Sequence, residues 1–185
     1  MFIGEVEAID RLQGNQIVSV EVAHREGLWH PAVHVYATDG ESVAQRPVYN
    51  DPRPNGGSRT VWDMSVLTAD VMAGETPEQA VWRTASEVGL ELQELRALDA
   101  PTFTEVWQTD EGFPFPHRTV DYNFVANRSS VPEEDGIRYY PIANLLNDTC
   151  YSRGHEASFW HVHRGPRNQQ IYSNILAILA GYGKA

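Results

Sequence analysis

The sequence predicts an α/β (α+β) sandwich built on a mixed sheet, and three observations carry that prediction. Apolar and polar residues alternate through several short segments, one well-capped helical stretch lies among them, and an apolar helical stripe comes near the end. Strands before and after a helix in this order bury one face of the sheet against it. The 185 residues suffice for one domain with a sizeable core, since chains of this length bury roughly 70% of the surface they would expose unfolded. No repeat, low-complexity tract or linker divides the sequence, so residues 1–185 are read as a single domain.

Phe2 to Ile9 alternates as a strand does, and Ile17 to Glu26 reads as a short helix stopped by Gly27. PAVHVYATDGESVAQRP reads as two strands around a turn at Asp39-Gly40, a strong short-range hairpin signal. Residues 50–59, NDPRPNGGSR, hold two prolines and two adjacent glycines and are expected to form a loop. Thr76 suits an N-cap, Pro77 the first helical position and Glu78 the positive end of the helix dipole, while Gly89 suits the C-cap. Together they place a helix at about 77–88. FTEVWQT and TVDYNFVAN then form an expected antiparallel pair joined across EGFPFPH, a long aromatic connection that suits either a lid or a rigid hairpin link. IRYYPI is expected as a further strand, with a helical turn at ANLL. Ile171, Ile175, Leu176, Ile178 and Leu179 mark one face of a closing helix.

Charge narrows the function classes. Fourteen Lys and Arg against 25 Asp and Glu give a net charge of -11. That argues against a duplex nucleic acid partner, whose phosphates must be neutralised by Lys and Arg. A small phosphorylated ligand remains compatible, because bound cations bring their own charge. Cys150 is the only cysteine, so an intramolecular disulfide is excluded and no C-x-x-C pair suggests zinc. A reducing cytoplasm is the expected setting. The start, MFIGEVEAIDRLQG, lacks the basic and apolar regions of a signal peptide, and no run approaches the ~20 apolar residues of a membrane span. An acidic surface and an apolar last helix allow a homodimer without requiring one.

The stretch AGETPEQAVWRTASEVGL resembles the box of the Nudix family, G-x5-E-x7-R-E-U-x-E-E-x-G-U, with U aliphatic. Gly74-Glu75, seven residues, Arg83, Glu87 and Gly89-Leu90 supply the match. VEVAHREGLWHPAVHVY upstream, WDMS just before the box and PEEDGIRYYPIANLL downstream fall in the order of the branch that resembles isopentenyl diphosphate isomerases, over roughly residues 1–165. The box departs from the pattern at Ala69 for glycine, Thr84 for glutamate and Val88 at a ligand position, and Arg83 to Gly89 is one residue short.

The resemblance implies a Nudix-type α/β/α sandwich and a pyrophosphohydrolase acting on a diphosphate-containing small molecule with Mg²⁺ or Mn²⁺. Glu87, Arg83 and Glu75 would form the catalytic group, and Glu87 with Asp121 would bind the metal. Mg²⁺ keeps several waters, so a single glutamate can serve when the substrate's phosphates supply the rest. The plain alternative for Arg83 and Glu87 is an i,i+4 surface ion pair worth only ~0.3 to 0.5 kcal/mol. Asp70, Glu78 and Asp121 are the other carboxylates at hand, each with the plain reading of a surface acid. His30 and His34 lie on the central strand and His161 and His163 in WHVH, and imidazole suits Zn²⁺, Ni²⁺ or Fe²⁺ better than Mg²⁺.

Trp62, His34, Phe115 and Tyr122 are the candidates for substrate contact. Trp107, Phe113 and Trp160 are further aromatics near them, core packing being the alternative role. Isomerase chemistry is not expected. Leu67 follows Ser65-Val66 where such enzymes place a cysteine, and TVDYNFV offers Asp121 but no glutamate, so the acid and base are missing. Two other readings stand beside hydrolysis: an inactive ligand-binding or regulatory module, and a metal-independent enzyme of specialised metabolism with His30, His34 or Asp121 in acid-base work.

Overall fold

The computed structural model describes residues 4–10, 14–52, 58–98, 101–110, 113–131, 136–144 and 178–181. In chain order its elements are β1 (Glu5–Asp10), β2 (Gly14–Ser19), α1 (Val20–Glu26), β3 (His30–Thr38), β4 (Ser42–Pro52), β5 (Ser58–Asp63), β6 (Leu67–Asp70), α2 (Pro77–Glu87), β7 (Arg96–Ala97), β8 (Thr102–Asp110), β9 (Phe113–Asn127) and β10 (Arg138–Pro141). The fold is mixed α/β, with a multi-stranded sheet and few helices, as expected. It resolves into two compact units. The first comprises Met1–Val35, Leu67–Leu90 and Ala97–Phe124, and the second Tyr36–Val66, Glu91–Arg96 and Val125–Ala185.

In the first unit β1 and β2 form an antiparallel pair with Val6 opposite Val18 and Ala8 opposite Gln16. The helix expected from Ile17 begins only at Val20. Ile17 and Val18 are β-branched and pair with Glu7 and Val6, while Ser19 is the N-cap, its side chain accepting from the Val22 N–H. Gly27 ends α1 in the left-handed conformation at φ 60, a backbone that glycine adopts without strain. Val6, Ala8, Val20, Ala23 and Leu28 form the core beneath this hairpin and helix, with Val18 and Met72 packed against it.

The start of β3 pairs antiparallel with β6, placing Ala32 opposite Asp70 and His34 opposite Thr68. Helix α2 follows β6 and packs on it. Thr76 accepts from the Gln79 N–H while the Gln79 side chain accepts from the Thr76 N–H, a reciprocal box that satisfies two orphan donors. At the far end the N–H groups of Gly89 and Leu90 bond the carbonyls of Ser86 and Ala85, with Gly89 at φ 71. The expected helix is therefore present, ending at Glu87, and it buries Ala80, Val81 and Ala85.

β8 and β9 pair from Thr102 opposite Asp121 to Asp110 opposite Phe113. Of the two readings of EGFPFPH this favours the hairpin link over the lid: Phe113 to His117 are strand, leaving only residues 111–112 between the two strands. Pro114 and Pro116 are two apart and direct their missing donors to one edge, which a strand accommodates when its partner lies on the other. The loop expected at 50–59 shrinks in the same way. Asn50, Asp51 and Pro52 of β4 pair with Thr60, Arg59 and Ser58 of β5.

In the second unit β4 also pairs with β10, and Thr38 pairs with Val43 to close the hairpin at Asp39-Gly40. The Asp39 carboxylate accepts from the N–H groups of Glu41 and Ser42 and from Arg128 Nη1 at 2.6 Å. Burial works against its charge, but these bonds, led by Arg128, outweigh it and hold the carboxyl well below the usual range. Arg128 also lies 4.1 Å from the centre of the Tyr139 ring, a cation–π contact. The strand at Arg138–Pro141 matches the expected IRYYPI strand, and residues 142–144 are helical as ANLL suggested. Of the expected closing helix, residues 178–181 are helical, with Leu179 buried and Ile178 exposed. Ile171, Ile175, Leu176, Cys150, Trp160, His161 and His163 lie outside the described residues. Among the described residues no helix is long and apolar enough to cross a membrane.

Candidate functional site

Three groups of polar side chains gather in the first unit. Arg83 of α2 is the hub of one. Its Nε donates to Glu75 Oε1 at 2.7 Å and one Nη to Glu75 Oε2 at 3.0 Å, a two-pronged grip that suits the guanidinium fork. The same Nη donates to the Asp70 carbonyl at 3.0 Å, tying the helix to the end of β6. The other Nη reaches Thr84 Oγ1 at 3.2 Å and Glu87 Oε1 at 3.4 Å. Glu75 is held below the ordinary glutamate range chiefly by Arg83, with partial burial opposing and the Met72 N–H assisting. Arg83 is raised in turn, first by Glu75, against the effect of its own burial. The expected trio of Glu75, Arg83 and Glu87 is thus brought together. Its members differ in exposure: the Glu75 side chain is 20% exposed and that of Glu87 58%.

The second group is His24, His30 and Asp70. His24 sits in the last turn of α1, and Gly27 reverses the chain so that His30, six residues on, faces it across a 3.1 Å Nε2···Nε2 approach. His30 Nδ1 lies 2.8 Å from the Leu28 carbonyl, which can only accept, so Nδ1 carries a proton and Nε2 is the atom turned toward His24 and Asp70. Asp70 places Oδ1 3.3 Å from His30 Nε2 and Oδ2 3.7 Å from His24 Nε2. Burial alone would raise the Asp70 carboxyl, but the bonds from His24 and His30 outweigh it and hold the group well below the usual range. Asp70 is therefore a largely buried member of an ionic cluster and not the surface acid expected of it.

Among the described residues, this is the one set of three or more His, Cys, Asp or Glu side chains whose ligand atoms all converge, within 4.8 Å of one another. An ion bound at ~2.0 to 2.1 Å in a tetrahedron holds its ligand atoms ~3.3 Å apart, close to the 3.1 Å between the two Nε2 atoms and the 3.3 Å from His30 Nε2 to Asp70 Oδ1. The Nδ1–H bond of His30 to a carbonyl is also the kind of outer contact that orients a ligating imidazole. Two imidazoles and a carboxylate suit a borderline divalent ion better than Mg²⁺. The box itself offers one exposed carboxylate, Glu87. That fits Mg²⁺ or Mn²⁺ only as a single protein ligand whose partners are water and substrate phosphate.

The third group pairs His34 with Asp121, Nε2 to Oδ1 at 3.3 Å, with Asp121 1% and His34 21% exposed. Asp121, expected beside Glu87 as a metal ligand, is placed with this histidine. Tyr122 is 36% exposed on β9. Trp62 lies on β5 opposite Pro47 and Phe115 on β9 opposite Gln108, and their side chains fall outside what the structure describes. Glu78 is exposed in the first turn of α2. Sequence reasoning missed His24. The usable signal was a histidine just before a helix-stopping glycine and a second one just after it.

No family model matches the chain, and no curated protein matches it. Among solved structures it is similar to Tm1382, described as a putative Nudix hydrolase, at 14% identity over 94% of this chain and 90% of that one, with a TM-score of 0.45. It is similar to RenU, a Nudix hydrolase from M. smegmatis, at 17% identity over 95% and 96%, with a TM-score of 0.42. It is also similar to the C. elegans Ap4A hydrolase at 16% identity over 65% and 86%, with a TM-score of 0.39.

Proposed function

We propose that the protein, taken over residues 1–185 as one Nudix-like domain, is a hydrolase acting on a diphosphate-containing small molecule with a divalent cation. The observation that carries the reading is the double use of Asp70. Its carbonyl anchors Arg83 of the box helix, and its carboxylate completes the set formed with His24 and His30. A residue type pattern that resembles the Nudix box is thereby joined to a set of converging ligand atoms. His24, His30 and Asp70 would hold the ion, and Glu87 would serve as a further carboxylate toward a cation carried by the substrate. Bound there, a divalent cation neutralises diphosphate charge and lowers the pKa of bound water. Glu75 keeps Arg83 fixed, and Arg83 steadies Glu87 on the exposed face of α2.

The test is release of phosphate or a monophosphate from a panel of nucleoside diphosphate compounds with Mg²⁺, Mn²⁺ or Zn²⁺. Turnover that needs the cation and falls roughly 10²-fold or more in Glu87→Gln or Asp70→Asn supports the reading. Full turnover in both variants removes it. One observation favours a second reading, a ligand-binding module without turnover: Thr84 stands where the box pattern has a glutamate, and its hydroxyl is bonded to Arg83. That reading predicts thermal stabilisation by a diphosphate compound with no product released.

A further inference from the structure

The set of His24, His30 and Asp70 depends on where one short acidic side chain points, and the backbone around Asp70 fixes that direction. Asp70 ends β6, and the peptide unit that follows it is held on both sides. Its carbonyl accepts from Arg83 Nη2 at 3.0 Å, and its N–H, that of Val71, donates to the Pro31 carbonyl at 2.9 Å. A planar peptide tied at both ends resists turning about the bond to Asp70 Cα, and this sets the line along which Cβ leaves the chain.

The tie to Arg83 belongs to a closed ring of bonds. Arg83 grips Glu75 through Nε at 2.7 Å and Nη2 at 3.0 Å, and Glu75 Oε2 accepts from the Met72 N–H at 3.0 Å, two residues beyond Asp70. The Ala73 N–H then donates to the Glu5 carbonyl at 2.7 Å. The bend between β6 and α2 is thus pinned at Asp70, Val71, Met72 and Ala73 in turn. Starting the helix does not require this, because Thr76 and Gln79 satisfy its first donors separately. What the ring adds is a fixed carboxylate beside the two imidazoles, with Oδ1 3.3 Å from His30 Nε2. Metal–ligand distances tolerate errors of only about 0.2 Å, so a site of this kind is sensitive to the placement of each ligand.

We propose that Arg83 is a positioning residue for a cation site at His24, His30 and Asp70, acting through the Asp70 carbonyl with Glu75 as its brace, and that the site takes a borderline divalent ion such as Zn²⁺ in preference to Mg²⁺. The inference rests on the cation set in the hydrolase reading and adds what governs its affinity and choice of ion. The Arg–Glu pair of the box-like stretch then acts as the outer support of a site whose ligands lie on α1, β3 and β6. Arginine suits this role because its rigid fork can hold both oxygens of Glu75 and still reach the Asp70 carbonyl, which a single ammonium nitrogen cannot do in the same geometry. Two imidazoles and one carboxylate favour the borderline ion over Mg²⁺, which prefers oxygen ligands.

The test needs no substrate. The affinity of the full chain for Zn²⁺ and for Mg²⁺ is measured by calorimetry in the unmodified protein, Arg83→Lys, Glu75→Gln and Thr76→Ala, below the melting range of each. Zn²⁺ is expected to bind the unmodified protein more tightly than Mg²⁺. Arg83→Lys is expected to weaken Zn²⁺ roughly 10- to 100-fold, the usual effect of losing an outer support, and Glu75→Gln to weaken it less. Thr76→Ala loosens the helix start without touching the Asp70 peptide and is expected to keep the affinity, which separates positioning from general loss of stability. The visible bands of bound Co²⁺, which report ligand geometry, are expected to change in Arg83→Lys and to stay the same in Thr76→Ala. An affinity in Arg83→Lys equal to that of the unmodified protein overturns the positioning role, as does an equal loss in Thr76→Ala; should Arg83→Lys not fold, an unchanged affinity in Glu75→Gln overturns it. Mg²⁺ binding tighter than Zn²⁺, or no saturable Zn²⁺ binding in the unmodified protein, overturns the assigned ion, and release of phosphate with Mg²⁺ would then leave hydrolysis standing. Weakened Zn²⁺ binding in Arg83→Lys in a protein that releases no phosphate supports the positioning role and removes the hydrolase reading alone.

Discussion

The cluster around Arg83 and the cluster of His24, His30 and Asp70 share one residue and are built on opposite electrostatic plans. Around Arg83 a cation is already in place, gripped by Glu75 at 2.7 and 3.0 Å and approached by Glu87 at 3.4 Å. A guanidinium so held compensates the charge of Glu75 through two parallel bonds. In the other cluster a single carboxylate meets two imidazoles, and three ligand atoms converge within 4.8 Å of one another. The difference teaches that carboxylates in a recognised motif are a poor guide to where a cation binds. What counts is which of them is already neutralised.

Removing Arg83 breaks the first plan most severely. Arg83→Ala leaves the Glu75 carboxylate half-buried with the Met72 N–H, and the expected loss is about 2 to 3 kcal/mol. A thermal melt would register that as roughly 5 to 10 °C in a chain of this size. Arg83→Lys restores only part of it, because an ammonium cannot grip both oxygens of Glu75 in the same geometry.

Acid sharpens the comparison, since both clusters hold a carboxyl below its ordinary value. Such a group adds stability that is complete above its unfolded pKa and is lost as pH falls toward the folded one. Unfolding free energy is therefore expected to decline as pH drops below the ordinary values of 4.5 for Glu75 and 3.8 for Asp70. Denaturant melts between pH 7 and pH 3 measure it, and Arg83→Ala is expected to flatten the Glu75 share while leaving that of Asp70.

Smaller effects are expected from the helix cap and from the exposed arm of the pair. Thr76→Ala removes one half of the capping box and is expected to cost about 1 kcal/mol in the same melts. Glu87→Gln is expected to change stability by less than about 0.5 kcal/mol, because an exposed i,i+4 pair contributes little. A large loss in that variant would mean that Glu87 is part of the frame and not a group offered to a ligand.

Helix α2 was legible because its signals are local. Thr76, Pro77 and Glu78 act on the first turn and Gly89 just past the last one, and each did what its chemistry demands. The pairing of Arg83 with Glu75 and Glu87 was legible for the same reason. The metal-competent cluster was not, because it needs three elements at once: the end of α1, the turn at Gly27 and the last residue of β6. Asp70 read as a surface acid since nothing in its neighbours along the chain reveals two imidazoles. Pro114 and Pro116 misled in the other direction, suggesting a loop where their positions along β9 let the ladder to β8 continue. Asp121 was recognised as a useful carboxylate, yet its partner was set by strand neighbours far apart in sequence.

The most direct test of the account is a calorimetric titration of the folded protein with Zn²⁺ and Mn²⁺, repeated in Asp70→Asn and Glu87→Gln. One saturable site that is lost in Asp70→Asn and kept in Glu87→Gln is the predicted result. Binding that survives Asp70→Asn, or that disappears only in Glu87→Gln, would contradict it.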